Sequence, residues 1–324
     1  MGKVVKPVFS VIIPVYNRPQ EIFELLESLT KHNKALFEVI VVEDGSQISS
    51  VDQVMLFEGK LDIQYLEKEN TGQGFSRNYA AQYARGKYLV FFDSDCLIPE
   101  NYFGVVEKYL DRHAVDAWGG PDKAHENFSS WQKAISFTMT SVLTTGGIRG
   151  KKKHVGSFQP RSFNMGIRKD VFLETGGFKQ TNLGEDIEYS TRLLNAGYKT
   201  ALITEAFVYH KRRATPKQFF KQAFSFGKGR VITGRKNKNG IKLIHWFPLL
   251  FCLSFLGLPI AYIIHPVLFF VGVGVFGVYF FSIAMWSFLE SRSLVVGLLS
   301  VFTAIYQLVG YGVGFLIQFI RKSD

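Results

Sequence analysis

Acidic residues are missing from long stretches of this 324-residue chain, and cysteine is nearly absent, with two in all. Cys96 and Cys252 stand far apart, imply no disulfide framework and fit a reducing compartment. Between residues 206 and 242 there are eleven Lys or Arg and no acid. The rest of the chain balances, so the whole net charge of +11 comes from this collar. From 243 to 289 and from 294 to 320, runs of 47 and 27 residues contain no Asp, Glu, Lys or Arg. A bilayer-spanning helix needs about 20 apolar residues, so the first run has room for two passes and the second for one. Passes over 243–264, 267–289 and 294–320 are therefore expected, with His265 and Pro266 turning a tight hairpin. No charged side chain lies within them, which argues against an ion pathway. A basic collar abutting such segments fits the positive-inside rule and anionic headgroups, not nucleic acid. The N-terminal "MGKVVKPVFSVIIPVY" turns strand-like before any signal-peptide run develops. The expectation is a multi-pass protein of the inner, cytoplasmic membrane whose front part, residues 1–215, faces the cytoplasm, followed by a basic amphipathic segment at 216–242 and a membrane part at 243–324.

In the front part, β-branched runs at 8–16, 37–44, 62–67 and 87–93 alternate with stretches whose apolar residues return every three or four positions. Strands alternating with helices predict an α/β fold with a mostly parallel sheet covered on both faces. Ligands of such sheets bind beyond the carboxyl ends of the strands. Those ends are polar: Pro14-Val15-Tyr16-Asn17-Arg18, then Glu43-Asp44-Gly45-Ser46, then Asp93-Ser94-Asp95. Carboxylates crowded at one edge raise one another's pKa unless a cation or hydrogen bonds compensate. A divalent cation, Mg²⁺ or Mn²⁺, carrying a phosphate-bearing ligand accounts for them economically. A lone D-x-D reads equally as a solvated turn, but this one ends "YLVFF" and is third in a series.

The motifs "VIIPVYNR", "EVIVVEDGS", "GFSRNYAAQYARGKYLVFFDSD", "FNMGIRKDVFLETGGF" and "GEDIEYSTRLLNAGY" resemble, in this order, those of family 2 glycosyltransferases. The resemblance spans about residues 8–210. It implies a GT-A fold, a nucleotide-diphospho-sugar donor with uracil the commoner base, a divalent metal, and inversion at the anomeric carbon. It places Pro14, Tyr16 and Asn17 around the nucleotide, Asp44 on the base with Glu43 beside it, and Arg77 on the nucleotide. Asp93 and Ser94 fall on the ribose and metal side, and Asp95 binds metal directly. Asn164 and Arg230 are carried over to the acceptor.

Inversion needs a base across the site from the metal, within reach of the attacking hydroxyl. Asp186 is the expected base, with Glu185 beside it assisting or binding acceptor, although acids at a helix start also serve as simple caps. His210, closing the apolar "ALITEAFVYH", completes the metal shell in some relatives and otherwise reads as a capped strand end. The glycine- and lysine-rich stretch 144–157 reads as a mobile loop that folds over the diphosphate, or as a plain connector. Polymerising members carry Q-x-x-R-W before their later spans. Here Gln222 and Arg230 have no tryptophan near them, so single-sugar transfer to a lipid-linked or saccharide acceptor at the membrane face is expected. A polyprenyl-phosphate sugar synthase is the neighbouring reading. A nucleotidyltransferase should carry a glycine-rich loop where "PVYNRPQ" stands, and an inactive scaffold should have lost Asp95 or Asp186.

Overall fold

A computed structural model of the chain describes residues 6–32, 36–146, 158–180, 184–236 and 241–321. Three strand–helix repeats and a fourth strand fall close to their expected places: β1 (Phe9–Val15), α1 (Pro19–Leu29), β2 (Phe37–Asp44), α2 (Val51–Met55), β3 (Ile63–Lys68), α3 (Gln73–Ala81) and β4 (Tyr88–Phe92). There follow β5 (Cys96–Leu97), α4 (Tyr102–Leu110), β6 (Ala117–Gly119), β7 (Asp122–Lys123), α5 (Ser130–Thr140), α6 (Val142–Thr145), β8 (Asn164–Arg168), α7 (Lys169–Glu174), α8 (Glu185–Asn195), β9 (Thr200–Leu202) and β10 (Val208–His210). The last helices are α9 (Pro216–Lys236), a 3₁₀ turn (Leu243–Trp246), α10 (Phe247–Leu256), α11 (Leu258–Ile264), α12 (Pro266–Ser291) and α13 (Leu294–Ile320).

Seven strands form one sheet in the order β3-β2-β1-β4-β8-β6-β9, parallel except for β8, which runs antiparallel to both of its neighbours. Every residue of β1 is buried, as a strand covered on both faces requires. The pleat divides its side chains: Phe9, Val11, Ile13 and Val15 enter one core with the leucines of α1, while Ile12 joins Phe91, Met165 and Tyr189 in the other. The helix α1 fits its slot because Ile22, Leu25, Leu26 and Leu29 return at helical spacing behind a proline in the first turn.

The "ALITEAFVYH" stretch is two strands, not one. A turn in which Ala206 N donates to Ile203 O at 3.1 Å ends β9 in the main sheet and releases β10 into a second, three-stranded sheet ordered β5-β10-β7. There His210 pairs in register with Cys96, immediately after the D-x-D turn.

Met1–Lys123 with Lys153–Lys211 make one compact unit, and Ala124–Lys152 with Arg212–Asp324 a second. In the second unit α9 runs along the C-terminal half of α13. Glycines permit the approach: a Cβ on Gly314 would lie 2.1 Å from Phe224 O, and one on Gly227 2.2 Å from Tyr311 O. Phe219, Ala223 and Val231 of α9 are buried, so core packing claims part of the face expected to lie on lipid. Among the described residues two helices, α12 and α13, are long and apolar enough to cross a membrane. The pass expected over 243–264 is instead broken, with α10 and α11 meeting at 47° around Gly257, where Pro259 lacks the amide to continue the ladder. Of the glycine-rich stretch 144–157, residues 147–157 lie outside the described residues.

Replacing Gly314 by Val should lower the stability of the detergent-solubilised protein by about 1–3 kcal/mol, because the new methyls meet backbone. Thermal unfolding checks this, with Gly274→Ala as the control: a Cβ there meets nothing within 4 Å, and the midpoint should not fall.

Candidate active site

Parallel pairing of β1 with both β2 and β4 brings the three polar ends to one edge, with Val15 in register with Glu43. Asn17 follows β1 in the left-handed region at φ 54°, which asparagine tolerates. Its Oδ1 accepts from Gln47 N at 2.8 Å and Ile48 N at 3.0 Å, so the side chain shapes the loop after β2. Pro14 is buried inside β1, in register with Val42, whereas Tyr16 stands 49% exposed at the edge.

Glu43 is committed to the fold. Its carboxylate accepts from the Ser46 hydroxyl, from Ser50 N at 2.8 Å and from Tyr65 Oη at 2.9 Å. Burial and this carboxylate push the Tyr65 phenol up to about 12. Asp44 is also buried, and takes Lys68 Nζ at 2.6 Å, Thr71 N at 3.0 Å and Gly72 N at 2.9 Å. Burial alone would raise its pKa, but these donors outweigh it and hold Asp44 below the ordinary carboxylate value. Both acids thus fix the turns that carry their neighbours: Asp44 sets the Thr71–Gly72 turn from which α3 starts.

That helix presents Arg77, which is fully buried. Its Nη2 bonds Asp93 Oδ1 at 2.5 Å and its Nη1 lies 3.5 Å from Glu185 Oε1, linking the end of β4 to the first residue of α8. Arg77 is therefore an internal tie between two acidic elements. Asp93 remains partly exposed, and Ser94 is buried. Asp95 is paired on its other side: Arg18 bonds Oδ2, and His210 Nε2 lies 3.0 Å from Oδ1. Burial works against the charge on Arg18, and Asp95 and Asp93 more than restore it. Asp95, Cys96 and His210 each offer a ligand atom within 4.8 Å of the others. A carboxylate and an imidazole suit Mn²⁺ or Mg²⁺ better than the buried thiol does.

Across the edge, Gly184 in the left-handed region starts α8 and sets Glu185 and Asp186 at its first turn. Glu185 is turned into the protein, bonded by Gln73 and lying 3.4 Å from Ser162 Oγ. Burial and the Asp186 charge push it up to about 7 against the pull of Arg77. It joins α3 to α8 and offers no open face to an acceptor. Asp186 is the more open of the two, 3.2 Å from Arg161 Nη1. Asn164, expected on the acceptor, is wholly buried: its Oδ1 accepts from Tyr102 Oη at 2.7 Å and its Nδ2 donates to Ala206 O at 2.8 Å. It is a strut. Arg230 lies on α9, in the second unit.

Sequence reasoning missed Arg18, Lys68, Gln73 and Arg161. Arg18 had the clearest signal, a cation directly after the polar end of β1. The others meet their partners only through the fold.

The family model for glycosyl transferase family 2 matches residues 10–175, half of the chain. The chain belongs to this family. It is a glycosyltransferase with a GT-A-like fold. It is 26% identical over 264 residues to the glycosyltransferase AglE of Haloferax volcanii, covering 79% of this chain and 84% of that one. It is 25% identical over 232 residues to the succinoglycan biosynthesis protein ExoA of Rhizobium meliloti, covering 68% of each. In fold it is similar to the mannosyltransferase PcManGT of Pyrobaculum calidifontis, solved with GDP-Man and Mn²⁺, at a TM-score of 0.67 and 18% identity over 97% of this chain and 88% of that one.

Because the folded state holds the Glu185 proton to about pH 7 and the unfolded chain only to 4.5, stability conferred by the protonated form is complete below 4.5 and is lost as pH rises through 7. Glu185→Gln should therefore unfold at a higher temperature relative to wild type at pH 8 than at pH 4.5, measured by calorimetry on both proteins across that range.

Proposed function

We propose that this family 2 enzyme transfers one sugar, with inversion, from a nucleotide-diphospho-sugar to an acceptor at a membrane face, in cell-envelope glycan or glycolipid assembly. The observation that carries the reading is that Arg77 ties Asp93, in the same turn as the Asp95–His210 pair, to Glu185, the neighbour of Asp186 at the start of α8. The likeness to ExoA, a succinoglycan biosynthesis protein, supports the pathway class.

Asp95 and His210 would hold Mn²⁺ or Mg²⁺, with Asp93 beside them. A cation held there would offset the negative charge that builds on the leaving diphosphate. Tyr16 and Asp44 lie on the nucleotide side. A UDP-sugar was the expectation from the family; the GDP-Man bound to PcManGT makes a guanine donor the first competitor to test. Arg77 keeps Asp93 and the start of α8 in register, and thereby acts on donor and base together. Asp186 removes the proton from the acceptor hydroxyl as it attacks, and Arg161 holds its carboxylate in place. Release of a single product fits the lack of a tryptophan near Gln222 and Arg230. The apolar C-terminal helices attach the enzyme to the cytoplasmic membrane, with the first unit on the cytoplasmic side and a lipid-linked saccharide or a polyprenyl phosphate as acceptor.

Detergent-solubilised enzyme should be stabilised by one nucleotide sugar from a panel of UDP and GDP donors when Mn²⁺ is present, and not after chelation. Asp95→Ala should abolish that shift. Asp186→Asn should keep it while transfer falls by about 10²–10⁴-fold, the usual worth of a general base. Unchanged turnover in Asp186→Asn would remove this residue from the mechanism.

A further inference from the structure

We infer that the apolar C-terminal region enters the bilayer as a single re-entrant hairpin, made by α10–α11 and the N-terminal half of α12, while α13 lies along the membrane surface. The inference rests on the membrane attachment proposed above and sets its topology.

By length and composition, both α12 and α13 qualify to cross a membrane, with mean hydropathies of 2.3 and 1.8. Their surroundings differ. Within their most apolar windows, 6% of α12 is buried inside the protein against 39% of α13. Besides α10 and α12, α13 packs against two more polar helices, α9 and α5. Along its C-terminal half runs α9, which carries Lys217, Lys221, Lys228, Arg230 and Arg235, and Arg235 Nη2 bonds the carbonyls of Phe319 at 3.0 Å and Arg321 at 2.8 Å. On its N-terminal half the hydroxyl of Thr303 meets that of Thr138 on α5 at 2.6 Å, and Ser300 meets Ser287 of α12 at 2.6 Å. If α13 crossed the hydrocarbon, α9 would have to go with it, at roughly 2.5–3.5 kcal/mol for each Lys or Arg brought to the bilayer centre. A surface position avoids this cost and leaves the cations of α9 among anionic headgroups.

The other side of the region is bare. Tyr262 packs on Phe269, and Phe255 on Phe276, so α10–α11 folds back along α12. The base of α10 packs on α13, with Leu249 and Phe251 buried, but this cover ends before the tip: α11 has no buried residue, and Ile263 and Ile264 are 82% and 70% exposed. A hairpin tip that emerges into water normally carries charge or hydrogen-bonding side chains. Here the tip is Ile263-Ile264-His265-Pro266-Val267-Leu268. Its backbone donors are satisfied internally, as immersion in lipid demands. His265 N donates to Ala261 O at 2.9 Å, Pro266 has no amide, Val267 N donates to the His265 ring at 3.2 Å, and Leu268 N donates to His265 O at 3.0 Å. From Tyr279, whose hydroxyl bonds Leu143 O in the α5–α6 layer, the hairpin extends about 20 Å to its tip, short of the ~30 Å hydrocarbon core. It enters and returns. Trp286, donating to Glu290 Oε1 at 3.0 Å, and Arg292 then stand at the face the hairpin entered from.

The test uses full-length protein in membrane vesicles of both orientations, with wild type giving the background from Cys96 and Cys252. Gln20→Cys on α1 marks the side of the first unit. An impermeant maleimide should label Arg292→Cys in the same orientation as Gln20→Cys, at least tenfold faster than in the other, and should label Val267→Cys in neither. A nitroxide at 267 should collide several-fold more often with oxygen than with an aqueous nickel chelate. Labelling of Arg292→Cys from the opposite side would overturn the inference, because α12 and α13 would then both cross. Labelling of Val267→Cys from the opposite side would overturn it in favour of a full-depth hairpin. Dipolar broadening between nitroxides at 267 would show a second copy of the chain on this surface in place of lipid, and protein that washes off membranes in alkaline carbonate would remove the attachment itself. None of these readouts depends on the transferase reaction.

Discussion

One buried guanidinium holds the acidic edge together. Arg77 has no access to water, yet it lies between Asp93, at the end of a strand, and Glu185, at the start of a helix more than ninety residues later. A buried cation is tolerable only with carboxylates around it, and carboxylates at such density are tolerable only with the cation. The two requirements lock α3, β4 and α8 into one arrangement. Each aspartate of the D-x-D turn has its own arginine, Arg77 for Asp93 and Arg18 for Asp95, so the turn keeps a defined shape whatever else binds there.

Several of the acids that make the edge conspicuous in the sequence are structural. Glu43 and Asp44 spend their oxygens on hydroxyls and amides of the adjoining turns, and Glu185 spends its own on Gln73. The chemistry is left to side chains that remain partly open, Asp93 and Asp186, and to the Asp95–His210 pair. An edge of this kind separates the groups that hold geometry from those that face ligand, and both classes look alike as letters.

The parallel half of the sheet was legible because β-branched runs and amphipathic helices alternate there at regular spacing, and the helix bearing Glu185 and Asp186 because Gly184 and an apolar stripe frame it. The antiparallel β8 escaped notice, since "NMGIR" has no alternation to betray it and its place depends on partners far away in sequence. The division of "ALITEAFVYH" between two sheets was hidden for a related reason: one turn at Ala206 redirects an otherwise continuous apolar run. Asn164 looked like a ligand contact because a polar residue after an aromatic in a motif gives no sign of which way it points. Length and apolarity located the C-terminal helices, but periodicity could not show that glycines on α9 and α13 let a charged helix lie against an apolar one.

The segment Ala124–Lys152 belongs to the unit of the C-terminal helices, so the backbone passes between the two units three times. The units are consequently not beads on a string. A chain ended at residue 211 would keep α5 without the Thr303 hydroxyl of α13 that pairs with Thr138, and would display Ile135, Phe137 and Met139 to solvent. During synthesis α5 must wait for α13, which follows it by about 150 residues, so its packing is completed only after the whole sheet-bearing unit has been made.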